Sequence, residues 1–418
     1  MNDARTPNES ERPLTPPFSP SEGERVAEGR VRGKSQRFNA RPSVLLLLST
    51  TAFAQETNLK PDEQIVFYPS VAQRVPGESN VWRTEIRGSI FESEKRSLMV
   101  GAFREALELK TGGMTSAEET LFNARARLFL VDHERGKNVF IRIGTNEYFV
   151  GKSEADGRFA AQLVLPDSTT TTFTAILKSG DARVFNGQIF PLENEGVSVI
   201  SDIDDTIKIT EVRDKQATLR NTFLREFQPV PGMAEFYQKI ARTGFAPLNR
   251  SSRRDEARSV SGEESQSLLT SAATRFEGGV AFHYISASPW QLYEPLAAFV
   301  VSNGFPEGTF ELKEFRWKDR SFFSLFGDPE KYKSGIIEPL LKQFPKRSFI
   351  LLGDSGERDP EIYGTLARKF PEQIRHIYIR DVTNEPADSV RYQEAFRDVP
   401  VAKWQVFREP GEIEVASE

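Results

Sequence analysis

The sequence predicts an α/β protein: an open parallel sheet preceded by a mostly β, sandwich-like N-terminal domain. Three observations support this. Between residues 197 and 380, apolar β-branched runs alternate with helical stretches, and each run ends in polar residues. Between about 60 and 195, short strand-like runs are separated by turn-rich segments such as Gly151-Lys-Ser-Glu-Ala-Asp-Gly157. The chain has 418 residues, enough for two domains with their own cores.

Residues 1–57 read as a leader. Up to about residue 41 the chain is rich in Pro, Ser, Glu, Gly and Arg and lacks apolar periodicity, a composition typical of disorder. Val44-Leu-Leu-Leu-Leu48 follows Arg37 and Arg41 and leads to Ala52-Phe-Ala54-Gln55. Basic flank, short apolar stretch and Ala-x-Ala form the order of a secretory signal, with cleavage expected near 54/55. The stretch is too short to span a bilayer. The long segment before it leaves two readings: translation starting downstream of Met1 with export, periplasmic or extracellular, or a cytoplasmic protein with a chance match.

Residues 58–195 carry strand signals at Gln64–Tyr68, Ala126–Val131, Asn138–Ile143, Ala160–Leu165 and Thr172–Leu177. Glu92 to Lys110 is the exception: Leu98, Phe103, Ala106 and Leu107 fall on one helical side. The segment offers no paired carboxylates and no phosphate loop, so its expected role is structural or substrate-presenting.

The chemistry gathers in residues 196–405. Val197-Ser-Val-Ile-Ser-Asp-Ile-Asp-Asp-Thr206 is an apolar strand that ends in clustered carboxylates, Asp202, Asp204 and Asp205. Burying them is costly unless a cation or hydrogen-bond donors receive them. Residues i and i+2 of a strand point to one side, so Asp202 and Asp204 can address one volume. That volume suits a hard cation such as Mg²⁺ with a phosphate beside it. One carboxylate can attack phosphorus while the other moves the proton.

Further strands follow. Phe282 to Ser288 ends in small hydroxyl residues before Pro289. The Ser286 hydroxyl and the following N–H groups, Ala287 first, can hold a phosphoryl oxygen, or serve only as a turn and helix cap. Lys333 opens an apolar helix face of Ile336, Ile337, Leu340, Leu341 and Phe344 that contains Pro339. Ser348–Leu352 leads into Gly353-Asp354-Ser-Gly-Glu-Arg-Asp359-Pro360, where Asp359 reads as the cap of a helix and Asp354 lacks such an explanation. His376–Ile379 is the last short strand. In open parallel sheets the ligand site lies outside the carboxyl ends of the strands. Asp202, Asp204, Ser286, Lys333, Asp354 and Asp359 are therefore expected at one site.

Two stretches stand apart. Residues from about 249 to 279 read as a flexible insertion, since structureless connections above ~15 residues are uncommon inside a domain; a substrate lid and a tolerated surface insertion are both open. Trp317 to Phe326 combines Trp, three Phe and basic residues, which suit either a peripheral membrane contact or core packing. Residues 406–418 are expected as a C-terminal tail.

Ser201-Asp-Ile-Asp-Asp-Thr-Ile-Lys208, His283-Tyr-Ile-Ser-Ala-Ser-Pro-Trp-Gln-Leu-Tyr293 and Leu352-Gly-Asp-Ser-Gly-Glu-Arg-Asp-Pro-Glu-Ile-Tyr363 resemble the conserved-domain family of the fungal actin-patch phosphatidate phosphatase. That family lies within the haloacid dehalogenase superfamily and is distantly related to the lipins. The resemblance implies a Rossmann-like parallel sheet of haloacid dehalogenase type. It implies Asp202 as nucleophile, Asp204 as general acid/base, and Lys333 with Ser286, Ala287 and Thr206 at the phosphoryl group. Asp202, Asp354 and Asp359 would surround Mg²⁺, with Asp204 contributing its backbone carbonyl. No motif position is missing.

The expected function is thus a Mg²⁺-dependent phosphatase acting through an aspartyl-phosphate, on phosphatidate or a related phospholipid. The alternatives are a phosphatase of a soluble phosphate ester and a non-catalytic lipid-binding module. Intact Asp202 and Asp204 speak against the last. A net charge of −5 gives no reason to expect nucleic-acid binding, and the absence of cysteine excludes disulfides, cysteine catalysis and thiolate metal sites.

Overall fold

The computed structural model describes residues 56–78, 80–93, 97–166, 171–243, 279–314 and 329–413. The signal-like leader, nearly all of the 249–279 insertion and the Trp317 to Phe326 stretch lie outside these residues. No helix among them is long and apolar enough to cross a membrane.

The N-terminal part is built on one nine-stranded, largely antiparallel sheet. Its strands are β1 (Glu63–Tyr68), β2 (Ser70–Arg74), β3 (Val81–Ser93), β4 (Val131–His133), β5 (Asn138–Ile143), β6 (Asn146–Lys152), β7 (Arg158–Pro166), β8 (Thr172–Ala175) and β9 (Asn186–Leu192). β9 joins two halves, pairing with β2 through Ile189–Leu192 and with β8 through Asn186–Gln188. Both halves contribute to a single core, with Phe67, Trp82 and Ile86 from one and Val139, Ile141 and Phe173 from the other. Burying each such side chain stabilises by about 1.5–3 kcal/mol.

Two helices interrupt this sheet, α1 (Ser97–Thr111) and α2 (Ser116–Phe129). The first matches the helix expected within 92–110. The second corrects an expectation, because Ala126 to Phe129 was read as the start of a strand. A short apolar run does not separate helix from strand. The decisive signals lie upstream: Thr115 and Glu118 form a capping box, and Phe122, Arg125, Ala126 and Phe129 share the buried helical face.

The C-terminal part holds a six-stranded parallel sheet in the order β12-β11-β10-β13-β14-β15. The strands are β10 (Glu195–Asp202), β11 (Val280–Pro289), β12 (Thr309–Lys313), β13 (Lys346–Asp354), β14 (Ile374–Arg380) and β15 (Trp404–Phe407). Between them run α3 (Lys215–Phe223), α4 (Met233–Thr243), α5 (Tyr293–Ser302), α6 (Pro329–Gln343), α7 (Asp359–Lys369) and α8 (Val390–Ala395). All ten residues of β11 are buried, as the near-continuous apolar run of a covered parallel strand requires. The stretch expected as a tail begins inside this sheet, since Phe407 pairs with Arg380 and is buried.

The first strand of this part, β10, lies at its centre, with β11 on one side and β13 on the other. Strand order therefore reverses there. A crevice opens at such a switch point outside the carboxyl ends of the strands. Asp202, Ser286 and Asp354 stand on those ends.

Candidate active site

Asp202 is the last residue of β10 and is almost fully buried. One of its oxygens, Oδ1, lies 2.8 Å from Lys333 Nζ, and the other accepts from the Thr206 hydroxyl at 3.2 Å. Lys333 projects from α6 and is itself buried. Its ammonium also meets Asp359 Oδ1 at 2.6 Å and Glu357 Oε2 at 3.0 Å. One lysine thus serves three carboxylates. Burial alone would lower its pKa, but Asp202, Asp359 and Glu357 hold it well above the usual lysine value.

Asp354 ends β13. Its Oδ1 accepts from Gly356 N at 2.6 Å, while Oδ2 is buried without a hydrogen-bond partner. Asp359 sits in the first turn of α7, but not as its cap. Its carboxylate turns inward to Lys333 and to Asp354 N, 3.3 Å away. Arg358 occupies the cap position instead. Gly353 permits this turn: a Cβ there would stand 2.3 Å from Asp359 Oδ2.

Asp202, Asp354 and Asp359 each bring a carboxylate oxygen within 4.8 Å of the others. Burial, and then the surrounding carboxylates, push the Asp202 and Asp354 carboxyls well above the usual range, against the pull of Lys333. An all-oxygen cluster with an unpartnered buried oxygen and excess negative charge fits a hard divalent cation. These three residues would hold it.

Asp204 points elsewhere. Its Oδ1 meets Lys208 Nζ at 2.8 Å and the Thr210 hydroxyl at 2.7 Å. Its Oδ2 accepts from the hydroxyls of Ser286 at 2.7 Å and Ser288 at 2.9 Å. Burial alone would raise this carboxyl, but Lys208, Ser286 and Thr210 hold it far below the usual range. Its carboxylate stands outside the cation cluster, so only its backbone carbonyl remains for the metal role the resemblance implied.

Asp205, the third carboxylate of the motif, is structural. With φ of 56° it turns back to accept from Thr210 N and Glu211 N at 2.8 Å and from Val212 N at 2.7 Å. Arg380 caps its carbonyl at 2.7 Å. This turn fixes the loop that carries Lys208 and Thr210 to Asp204.

All six residues expected at one site by strand-end position are therefore brought together, and Thr206 stands beside Asp202. Ala287 lies in a bulge between Ser286 and Pro289. Sequence reasoning gave no role to Glu357, Ser288, Lys208 or Thr210. Glu357, Ser288 and Lys208 lie within motifs already singled out and Thr210 two residues past one, but spacing alone does not reveal which way these side chains turn.

Residues 197–381 match the family model described as the catalytic domain of phosphatidate phosphatase APP1. The matched segment is similar to this family and makes up less than half of the chain. Over 203 residues the chain is 34% identical to the phosphatidate phosphatase APP1 of Saccharomyces cerevisiae, covering 48% of this chain and 28% of that protein. An uncharacterised protein of Schizosaccharomyces pombe is 25% identical over 296 residues, 66% of this chain and 43% of the relative. This second match is longer than residues 197–418 can supply, so it reaches into the β-rich part. The chain spans less than half the length of either relative.

Proposed function

We propose that this chain is a Mg²⁺-dependent phosphomonoesterase acting through an aspartyl-phosphate on Asp202, with phosphatidate as substrate. In this reading the parallel sheet, residues 196–405 with the rest of β15, is a phosphatase domain of haloacid dehalogenase type behind a sandwich-like domain. One observation carries the reading. At the end of the central strand, Asp202 sits between a buried lysine and a carboxylate cluster, while Asp204 two residues on faces the Ser286 and Ser288 hydroxyls. The family match and the yeast relative's name add the substrate class.

The chemistry runs as a double displacement. An Asp202 oxygen attacks phosphorus and the phosphorus–ester oxygen bond breaks. Asp204, which must first take up a proton from solvent as substrate displaces its hydroxyl donors, gives that proton to the leaving alkoxide. Asp204 then takes a proton from water, which attacks the aspartyl-phosphate, frees inorganic phosphate and restores Asp202. Lys333, Ser286, Thr206 and the Ala287 N–H would receive phosphoryl oxygens. A bound Mg²⁺ would neutralise charge on the transferring group. Drawing the Ser286 hydroxyl onto the substrate removes one donor that keeps Asp204 ionised, which suits Asp204 to carry a proton. On sequence grounds, we include in this proposal export directed by residues 44–55 and a lipid contact through Trp317 to Phe326.

The direct test is phosphate release by purified protein with Mg²⁺, comparing phosphatidate vesicles with water-soluble phosphomonoesters. Release from vesicles, abolished by chelator, is expected; equal or better turnover of soluble esters would shift the substrate, and no release from any ester would remove the activity.

Metal binding has a readout besides activity. Mg²⁺ is expected to raise the melting temperature of metal-free protein, by about 2.7 kcal/mol of stability at 100 times its Kd. Asp354→Asn retains or gains metal-free stability, because it removes one charge from a crowded cluster, and loses this Mg²⁺ response. An undiminished response in Asp354→Asn would place the cation elsewhere.

A further inference from the structure

We infer that Arg87, supplied by the β-rich part, is a positioning residue of the site: it clamps the bulged end of β11 from which Ser286 and Ser288 reach Asp204. The roles of those two serines rest on the phosphatase reading above.

β11 pairs regularly with the edge strand β12 from His283 opposite Thr309 to Ser286 opposite Leu312, then slips, so that Pro289 stands opposite Lys313. A bulge breaks the ladder and bends the strand, which re-aims side chains but leaves their position poorly held by pairing. Ser286 closes the regular ladder and Ser288 lies in the irregular stretch, and their hydroxyls stand 2.7 and 2.9 Å from one Asp204 oxygen. What lies on either side of the bulge must therefore fix it.

Arg87, on β3, reaches both sides. Its guanidinium pairs with the Glu311 carboxylate, with one contact at 3.0 Å, and donates to the Phe310 carbonyl at 3.0 Å. Phe310 and Glu311 lie opposite Tyr284 and Ile285, the two residues before Ser286. The same guanidinium lies over the ring of Trp290, two residues after Ser288, at 5.4 Å from the ring centre. Tyr68, at the end of β1, covers that ring with centroids 4.1 Å apart.

A planar fork with several fixed donors can hold a carboxylate, a carbonyl and an aromatic face together; the single ammonium of lysine cannot. Displacing reacting groups by about 1 Å costs up to ~100-fold in rate. A clamp at this point therefore acts on turnover, not only on adhesion between the two parts.

Arg125 provides the contrast. It too crosses from the β-rich part, but its donors go to the carbonyls of Thr222 at 2.7 Å and Arg225 at 2.6 Å at the end of α3. Its guanidinium lies over the Phe227 ring, 3.9 Å from the centre, and not over Trp290.

The test uses the full chain with Mg²⁺ and a water-soluble phosphomonoester, well below every melting temperature. It compares wild type, Arg87→Lys, Arg87→Ala and Arg125→Lys by kcat, KM and backbone hydrogen exchange at Ser286–Trp290. Arg87→Lys and Arg87→Ala are expected to lose on the order of tenfold to hundredfold in kcat, with smaller changes in KM and faster exchange at the bulge. Arg125→Lys should lower the melting temperature, leave exchange at Ser286–Trp290 unchanged and cost less kcat than either Arg87 variant. Should Arg87→Ala not fold, Arg87→Lys carries the comparison. Unchanged kcat and exchange in the Arg87 variants would overturn the inference, as would an equal kcat loss in Arg125→Lys. A wild type inactive on this ester and on phosphatidate vesicles, with faster exchange in Arg87→Lys, would refute the phosphatase reading while supporting the clamp.

Discussion

Asp202→Asn lowers turnover to near background, a loss on the order of 10³-fold or more, while the protein stays folded. Asn keeps the shape of Asp202: its single amide oxygen can still accept from Lys333, while its NH2 group faces the Thr206 hydroxyl, which can turn to accept. It lacks the charge that makes the carboxylate a nucleophile. The fold should not suffer, because burial and three neighbouring carboxylates already disfavour the ionised form at this position. A circular dichroism melt recorded beside the assay separates the two effects. Retention of most activity by Asp202→Asn would show that Asp202 is not the nucleophile.

Lys333→Met should cost both activity and stability, the latter by about 3–5 kcal/mol in metal-free protein. The substitution is close in volume and keeps an apolar stem, but leaves the buried Asp202 and Asp359 and the partly buried Glu357 without their shared cation. Denaturant midpoints with and without Mg²⁺ check this, and Mg²⁺ should recover part of the loss. The pH dependence has a definite sign. The Asp202 and Asp354 carboxyls have folded pKa values raised above their unfolded ones, so the folded state binds more protons between the two. Metal-free stability therefore rises as pH falls from neutral toward the ordinary carboxylate range, more steeply in Lys333→Met. Lys333 is raised as well, so its own contribution in wild type is complete below the usual lysine pKa and fades only as pH climbs through the raised value. A Lys333→Met variant as stable as wild type at neutral pH, without metal, would contradict this ion cluster.

Much of the site was legible in the sequence because parallel strands announce themselves twice, by a continuous apolar run and by the polar residues where it stops. Asp202, Ser286 and Asp354 were found that way, and strand order then brings their ends together. Side-chain direction was not legible. The turn at Asp205, with its positive φ, decides that Lys208 and Thr210 serve Asp204. Likewise, the close approach allowed by Gly353 lets the Asp359 carboxylate turn inward to Lys333 in place of capping the helix. The helix over Ser116–Phe129 was missed because its apolar run is short, whereas its capping box was readable. Contacts such as Arg87 to Glu311, 224 residues apart, have no periodic signature in a single sequence.

Acid-quenching the enzyme during turnover of substrate carrying labelled phosphorus tests the central claim most directly. The proposed chemistry predicts label bound covalently to the protein, stable in acid, released by hydroxylamine, mapping to the peptide containing Asp202 and absent from Asp202→Asn. Continued phosphate release with no label at Asp202, or with label on another residue, would contradict it.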